Sequence, residues 1–299
     1  MKLLLLGANG QVGHELRRSL APLGEVIAAT RDGKLVDGGS CEIADLDDLT
    51  SLPALVDRIA PDVVVNAAAY TAVDEAESER EAAFRANAEA PRALAEACAR
   101  RGARLVHYST DYVFDGRGMR PWREDDPTAP LGVYGESKLA GEAAIREIGA
   151  DHVILRPAWV YAPRGRNFLL TMLRLGVERD RLRVVADQVG TPTGAALIAD
   201  ATARILAHPS RARGTWHLTA GGQTSWHGFA EAIFAGAVER GLLARAPMVE
   251  AISTAEYPTP AARPAHSVLD TTKLQRDFGF VPPDWREGLS RALDALERD

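Results

Sequence analysis

The chain is poor in cysteine, in lysine and in long apolar runs, and each scarcity narrows the field. Two cysteines in 299 residues, Cys41 and Cys98, are too few for a disulfide framework and fit a reducing compartment. Both stand among apolar neighbours and read as inert packing. No stretch approaches the roughly 20 apolar residues that span a bilayer. The opening run Leu3–Leu6 stops at Gly7, too short for a secretion signal, with no cleavage-type site behind it. The expectation is a cytoplasmic protein with no membrane partner. A net charge of −6, without a basic tract carrying interleaved aromatics, argues against nucleic acid. Lysine occurs only at Lys2, Lys34, Lys138 and Lys273, and the other 31 of the 35 basic residues are arginine. In a chain so biased to arginine, a lysine suggests a task that guanidinium does not perform.

What is present is ordinary for a globular protein: 46% hydrophobic and 25% charged residues, enough for one large domain or two closely joined ones. Short apolar runs at Leu3–Leu6, Val26–Ala29, Val63–Val65, Leu105–Tyr108 and Val153–Leu155 read as buried strands. Amphipathic stretches at Val12–Leu20, Leu46–Ile59, Ala82–Arg101 and Tyr134–Ile148 read as helices between them. That alternation predicts an α/β fold, a parallel sheet covered on both faces. The second half is less regular, with a return strand near Thr215–Thr219 and a last helix from about Asp284. No repeat, low-complexity tract or linker divides the chain.

Gly7-Ala8-Asn9-Gly10-Gln11-Val12-Gly13 follows the first strand and opens the first helix. In that context the glycines permit a tight turn, close approach of a pyrophosphate and close helix–strand packing, while the helix N-terminus offers N–H groups to phosphate. The G-x-x-G-x-x-G spacing differs by one residue from G-x-G-x-x-G, but its strand–turn–helix setting predicts dinucleotide binding. Past the second strand, Thr30 stands where an acid would bind a ribose 2′-hydroxyl, and Arg31 follows it. Arg31 reads either as a 2′-phosphate ligand, favouring NADPH with NADH as the alternative, or as a solvated loop cation. Asp45 and Leu46 fall at a place suited to the adenine. Ala67, Ala68 and Ala69 are small enough to let the backbone press on the cofactor. Tyr134 and Lys138, four apart, emerge on one helix face, a pairing suited to general acid catalysis at a carbonyl.

With Asn66–Asp74, His107–Phe114, Tyr134–Lys138, Arg156–Tyr161, Asp187–Gly194 and Tyr257–Pro264 in order along it, the chain resembles the extended short-chain dehydrogenase/reductases, and most narrowly the dTDP-4-dehydrorhamnose reductases among them. The resemblance implies a Rossmann-type doubly wound sheet over residues 1–157, completed by a return strand near 213–220, and a smaller, mainly substrate-binding α/β domain over 158–299. It implies NAD(P)H-dependent reduction of the 4-keto group of a nucleotide sugar, dTDP-4-dehydro-L-rhamnose. Tyr134 would protonate the nascent alkoxide. Lys138 would hold the nicotinamide ribose and lower the Tyr134 pKa, and Thr110 would orient the carbonyl. Thr71, Val73, Asp111 and Trp159 fall on the segments of the sugar pocket, with Trp159 either stacking a sugar face or serving as a core tryptophan. Asn167, Gln188 and Arg263 are candidates for holding the nucleoside diphosphate, or else loop braces, and Asn87 is expected to brace the site structurally.

Some relatives dimerise around Mg2+ held by glutamates at the position of Glu15 and just after Pro-Thr-Gly. Here Ala195-Ala196 follow Pro192-Thr193-Gly194, which argues against the metal and leaves Glu15 as a solvated helix residue, in a monomer or a homodimer. Rival readings are a 4-epimerase or 4,6-dehydratase and a non-catalytic dinucleotide-binding subunit. The dehydratase would need a second carboxylate where Tyr112 follows Asp111, and the subunit would tend to lose members of the Thr110–Tyr134–Lys138 set.

Overall fold

A computed structural model describes residues 1–297. In the first half, β1 (Lys2–Leu6), α1 (Gln11–Leu20), β2 (Glu25–Thr30), β3 (Glu42–Ile43), α2 (Ser51–Ile59), β4 (Val63–Asn66), α3 (Arg80–Phe84), α4 (Ala90–Arg101), β5 (Arg104–Tyr108), α5 (Val133–Ile148) and β6 (His152–Arg156) alternate as expected. The second half runs β7 (Val160–Tyr161), α6 (Phe168–Glu178), β8 (Arg181–Val185), β9 (Val189–Gly190), β10 (Thr193–Gly194), α7 (Ala195–Ala207), β11 (Gly214–His217), β12 (Thr224–Ser225), α8 (Trp226–Glu239), β13 (Met248–Ile252), α9 (Thr272–Phe278) and α10 (Trp285–Leu296). Among the described residues no helix is long and apolar enough to cross a membrane.

Seven strands form one parallel sheet in the order β11-β6-β5-β4-β1-β2-β3. The order reverses direction at β1, giving a Rossmann-type doubly wound sheet whose ligand crevice lies beyond the carboxyl ends of β1 and β4. The unbroken apolar strands follow from burial on two sides. Leu3, Leu5, Val63, Val65 and Val153 enter one core with α7, whereas Leu4, Leu6, Val64, Leu105 and Ile154 enter a second with α2 and α4. A third core joins α6, α8 and α10 around Phe229, Phe234 and Trp285.

Three expectations shift in detail. The helix foreseen from Leu46 begins only at Ser51, because Asp45 accepts the Asp47 N–H and Asp48 accepts those of Thr50 and Ser51, turning the chain locally before it coils. The single helix Ala82–Arg101 is instead α3 and α4 joined through a π turn at Arg85–Glu89. Pro91, which has no N–H to donate, sits at the start of α4, and the π turn places Asn87 with its carbonyl against α5. The return strand ends at His217 rather than Thr219, although Leu218 still donates to the Arg156 carbonyl at 2.9 Å.

Gly141 is where α5 meets that π turn: a Cβ there would sit 2.1 Å from the Asn87 carbonyl oxygen. Helix propensity alone favours alanine over glycine by about 1 kcal/mol, but the backbone clash outweighs it. Gly141→Ala is therefore expected to lower stability by roughly 1–3 kcal/mol, measured from urea midpoints; a raised midpoint would refute the packing argument.

Candidate active site

The glycine loop is built by close contacts as much as by turn geometry. Gly7 has φ +76°, and a Cβ on it would lie 2.7 Å from the Ala68 nitrogen; a Cβ on Gly13 would lie 2.0 Å from the Gly7 oxygen. Gly10 is the N-cap of α1, with no side chain covering the first turn, so the N–H groups at Gln11, Val12 and Gly13 face the crevice as an anion site. Ala67, Ala68 and Ala69 follow β4 directly, with the Ala67 N–H bonded to Leu6. A cradle of bare backbone and small residues fits a dinucleotide pyrophosphate. Asn9 turns elsewhere: its amide donates to the Lys34 carbonyl at 2.8 Å and its oxygen accepts the Val36 N–H, fixing the loop after β2. Thr30 is buried and its hydroxyl is occupied within the same loop by Asp32, Lys34 and Cys41. Arg31 is 78% exposed and reaches Asp45 at 3.6 Å, so those two expected cofactor residues face each other at the crevice rim while Leu46 is buried beside them.

At the far end of β5 the chain turns through a short 3₁₀ segment, Asp111–Val113, capped by Thr110, whose oxygen accepts the Tyr112 N–H at 3.2 Å. Helix α5 presses its first turn on this segment, and Gly135 permits it: a Cβ there would meet the Tyr112 carbonyl oxygen at 2.3 Å. Glu77 caps α5 from outside through the Val133 N–H. Tyr134 thereby lies edge-on to Tyr112 with its phenol beside Thr110. Thr110 also donates to the buried Asp111 carboxylate at 3.1 Å. Thr110 and Tyr134 meet here, and Lys138 lies one turn further along the same helix.

Their electrostatics differ from expectation in one respect. Burial pushes the Tyr134 phenol up to about 12, against the opposing pull of the Thr110 hydrogen bond, and Lys138 does not offset it. The reason is where the ammonium goes: Lys138, 1% exposed, donates to the Tyr108 carbonyl at 2.6 Å. Burial brings Lys138 down to about 8, moderated by the negative charge of Glu142 one turn on. Glu142 is itself held by two 2.7 Å hydrogen bonds from Arg156 and one of 2.9 Å from Arg146. Asp111 is raised to about 7 by burial, with one carboxylate oxygen left without a partner.

Asn87 bonds both the N–H and the carbonyl of Tyr70 and donates to Ser137, bracing the β4 loop against α5. The three expected diphosphate ligands are engaged within the protein. Asn167 caps α6 and reaches Gln11 at 2.8 Å; Gln188, buried, donates to Thr254. Arg263 pairs with Asp74 at 2.7 Å and also bonds Thr259. This latch draws residues 261–264 over a crevice of about 10 Å³ lined by Val73, Tyr112 and Tyr134, far below the roughly 300–1,000 Å³ usual for small-molecule sites. Thr71, two residues before Val73, is exposed. Glu15 is not freely solvated: its side chain is 17% exposed and 3.6 Å from Arg18, and Ala195 and Ala196 opening α7 add no carboxylate, so the pair does not fit a divalent cation.

A sequence model described as the RmlD substrate binding domain matches residues 1–298. The chain belongs to that family. It is 49% identical to a dTDP-4-dehydrorhamnose reductase of Shigella flexneri over 99% of this chain and 98% of that protein. A dTDP-4-dehydrorhamnose reductase of Burkholderia thailandensis is 51% identical, over 96% of each chain. The crystal structure of dTDP-4-dehydrorhamnose reductase from Bacillus anthracis in complex with NADP superposes with a TM-score of 0.89 at 34% identity, covering 99% of this chain and all of that one. Asp74 and Tyr112, and with them Trp226 and Gly190 around Trp159, escaped the sequence reading, because their partners are distant in sequence and nothing local signals the contact.

Asp111 yields a pH test. Its folded pKa is above the ordinary carboxyl value, so the folded state holds the proton longer and stability falls as pH rises from about 4 to about 7. Asp111→Asn is expected to be more stable than the parent at pH 8 and to narrow that gap by pH 4 in urea titrations. An unchanged difference across that window would show that Asp111 titrates normally.

Proposed function

We propose that this protein is a dTDP-4-dehydrorhamnose reductase, which uses NADPH to convert dTDP-4-dehydro-L-rhamnose to dTDP-L-rhamnose. The observation that carries the reading is the meeting of the Thr110 and Tyr134 hydroxyls beside a buried Lys138 at the carboxyl edge of β5, next to the glycine cradle. The cofactor, when bound, supplies the hydride. Tyr134, protonated throughout the neutral range, serves as the acid that gives its proton to the C4 oxygen as negative charge develops there. Thr110, whose hydroxyl proton rests on Asp111 before substrate arrives, turns that proton to the same oxygen and fixes the carbonyl plane. Lys138 holds the ribose hydroxyls from the Tyr108 side.

The division of labour we infer is dinucleotide binding by residues 1–157 with the return strand near 213–220, and sugar-nucleotide binding mainly by 158–299. Gly7, Gly10 and Gly13 with Gln11 and Val12 frame the pyrophosphate, Asn9 holds the loop beside them through Lys34 and Val36, and Asp45, Leu46 and Ala67–Ala69 flank the adenosine and nicotinamide halves. Thr71, Val73, Asp111 and Trp159 wall the sugar. Arg263 exchanges Asp74 for the diphosphate, with Asn167 and Gln188 shaping the segments around it. We place the protein in the cytoplasm, as a monomer or a homodimer that does not depend on Mg2+.

Two variants test this reading. Tyr134→Phe is expected to lower kcat roughly 10²-fold or more while cofactor affinity is kept; unchanged turnover would remove the phenol from the chemistry. Arg31→Ala is expected to reduce kcat/KM with NADPH about tenfold relative to NADH, the scale of one charge-assisted phosphate contact. An unaltered ratio would make Arg31 a solvated cation.

A further inference from the structure

Trp159 has φ +46°, in the left-handed region where a bulky side chain is strained. Such strain persists only where the surroundings impose it, and here they do. The indole lies flat on Trp226, ring centroids 3.6 Å apart and planes within 5°. Its other face is covered by the backbone of Gly190: a Cβ built there would stand 2.4 Å from Cε2, 2.6 Å from Nε1 and 2.7 Å from Cζ2. Near-equal distances to three bonded ring atoms put that point above the ring and not at its rim. On the Trp226 side it would have met Trp226 first, so glycine and tryptophan grip opposite faces.

The two jaws form one unit. Gly190 pairs with Thr224 in the antiparallel β9–β12 ladder, and Trp226 opens α8 directly after β12, with Ser225 capping the helix. Phe168 backs Trp226 at 4.7 Å and stacks on Phe229, tying the slot to the core of the second half. The indole itself arrives from the segment leaving β6, and its carbonyl accepts the Thr193 N–H at 3.1 Å.

A ring covered on both faces cannot stack on a sugar, which revises the stacking role expected from sequence. Its rim remains, and with it the Nε1–H, the only polar atom of the side chain. We propose that Trp226 and Gly190 are positioning residues that hold Trp159 edge-on, so that its indole N–H donates a hydrogen bond to an oxygen of the bound sugar. This rests on the placement of Trp159 at the sugar pocket. A preset donor costs no ordering when the ligand arrives, and it favours sugars that present an acceptor at that point.

Calorimetric titration of the NADP+-loaded protein with a dTDP-6-deoxyhexose tests this apart from turnover. Trp159→Phe, which keeps an aromatic ring but loses the N–H, is expected to weaken Kd about tenfold, the scale of one hydrogen bond. Trp226→Ala and Gly190→Ala should weaken it similarly, and Trp226→Phe should restore most of it. The exciton couplet of two stacked indoles in circular dichroism should be present in the parent and absent from Trp226→Ala even where the thermal transition is unchanged. Wild-type Kd in Trp159→Phe or in Trp226→Ala would overturn the proposal. Weakened binding in these variants, in a protein that reduces no 4-ketosugar, would uphold the slot and refute the reductase reading; wild-type binding in an active reductase would do the reverse.

Discussion

The burial of a single ammonium organises this site. Lys138 is 1% exposed, and an isolated charge so placed is costly unless something pairs with it. The fold meets that cost with the Tyr108 carbonyl at the end of β5 and the negative charge of Glu142 one turn away, itself held by Arg156 and Arg146. Both partners are in place only if α5 lies hard against β5 and the turn beyond it. Gly135 makes that approach and Gly141 seats the same helix on the π turn at Asn87, each where a Cβ would collide with backbone oxygen. Once α5 is seated for its lysine, Tyr134 is carried beside Thr110 without further arrangement.

Seating the helix sets the chemistry. A phenol raised to about 12 keeps its proton at neutral pH, which suits a donor to a developing alkoxide. By its resemblance alone, Lys138 would lower that pKa. In the folded protein its ammonium is directed to the Tyr108 carbonyl, so burial dominates the phenol. The lysine thus contributes first as an anchor between helix and sheet. At the opposite wall, Arg263 closes on Asp74 and narrows the crevice; under the proposed function the diphosphate would compete with Asp74 for that guanidinium.

Much of the fold was legible because its signals are local. Val63-Val64-Val65 is apolar on both faces and could only be an inner strand, and Gly7, Gly10 and Gly13 announce their turn by spacing. The π turn at Asn87 was not, since the periodicity on either side of Pro91 continues as if unbroken. The proposed catalytic set was readable from Tyr134, Lys138 and the segment around Thr110. The roles of Gly135 and Gly141, the Asp74–Arg263 pair and the grip on Trp159 were not, because each is a contact between segments far apart in sequence.

The most direct measurement is a crystal structure of the protein with NADP+ and a dTDP-6-deoxyhexose bound. The account predicts the sugar O4 within roughly 3 Å of both the Thr110 hydroxyl and the Tyr134 phenol, hydrogen-bond distance for hydroxyl donors, with Lys138 on the nicotinamide ribose. An O4 bound away from both hydroxyls, or a Lys138 that leaves the ribose untouched, would contradict it.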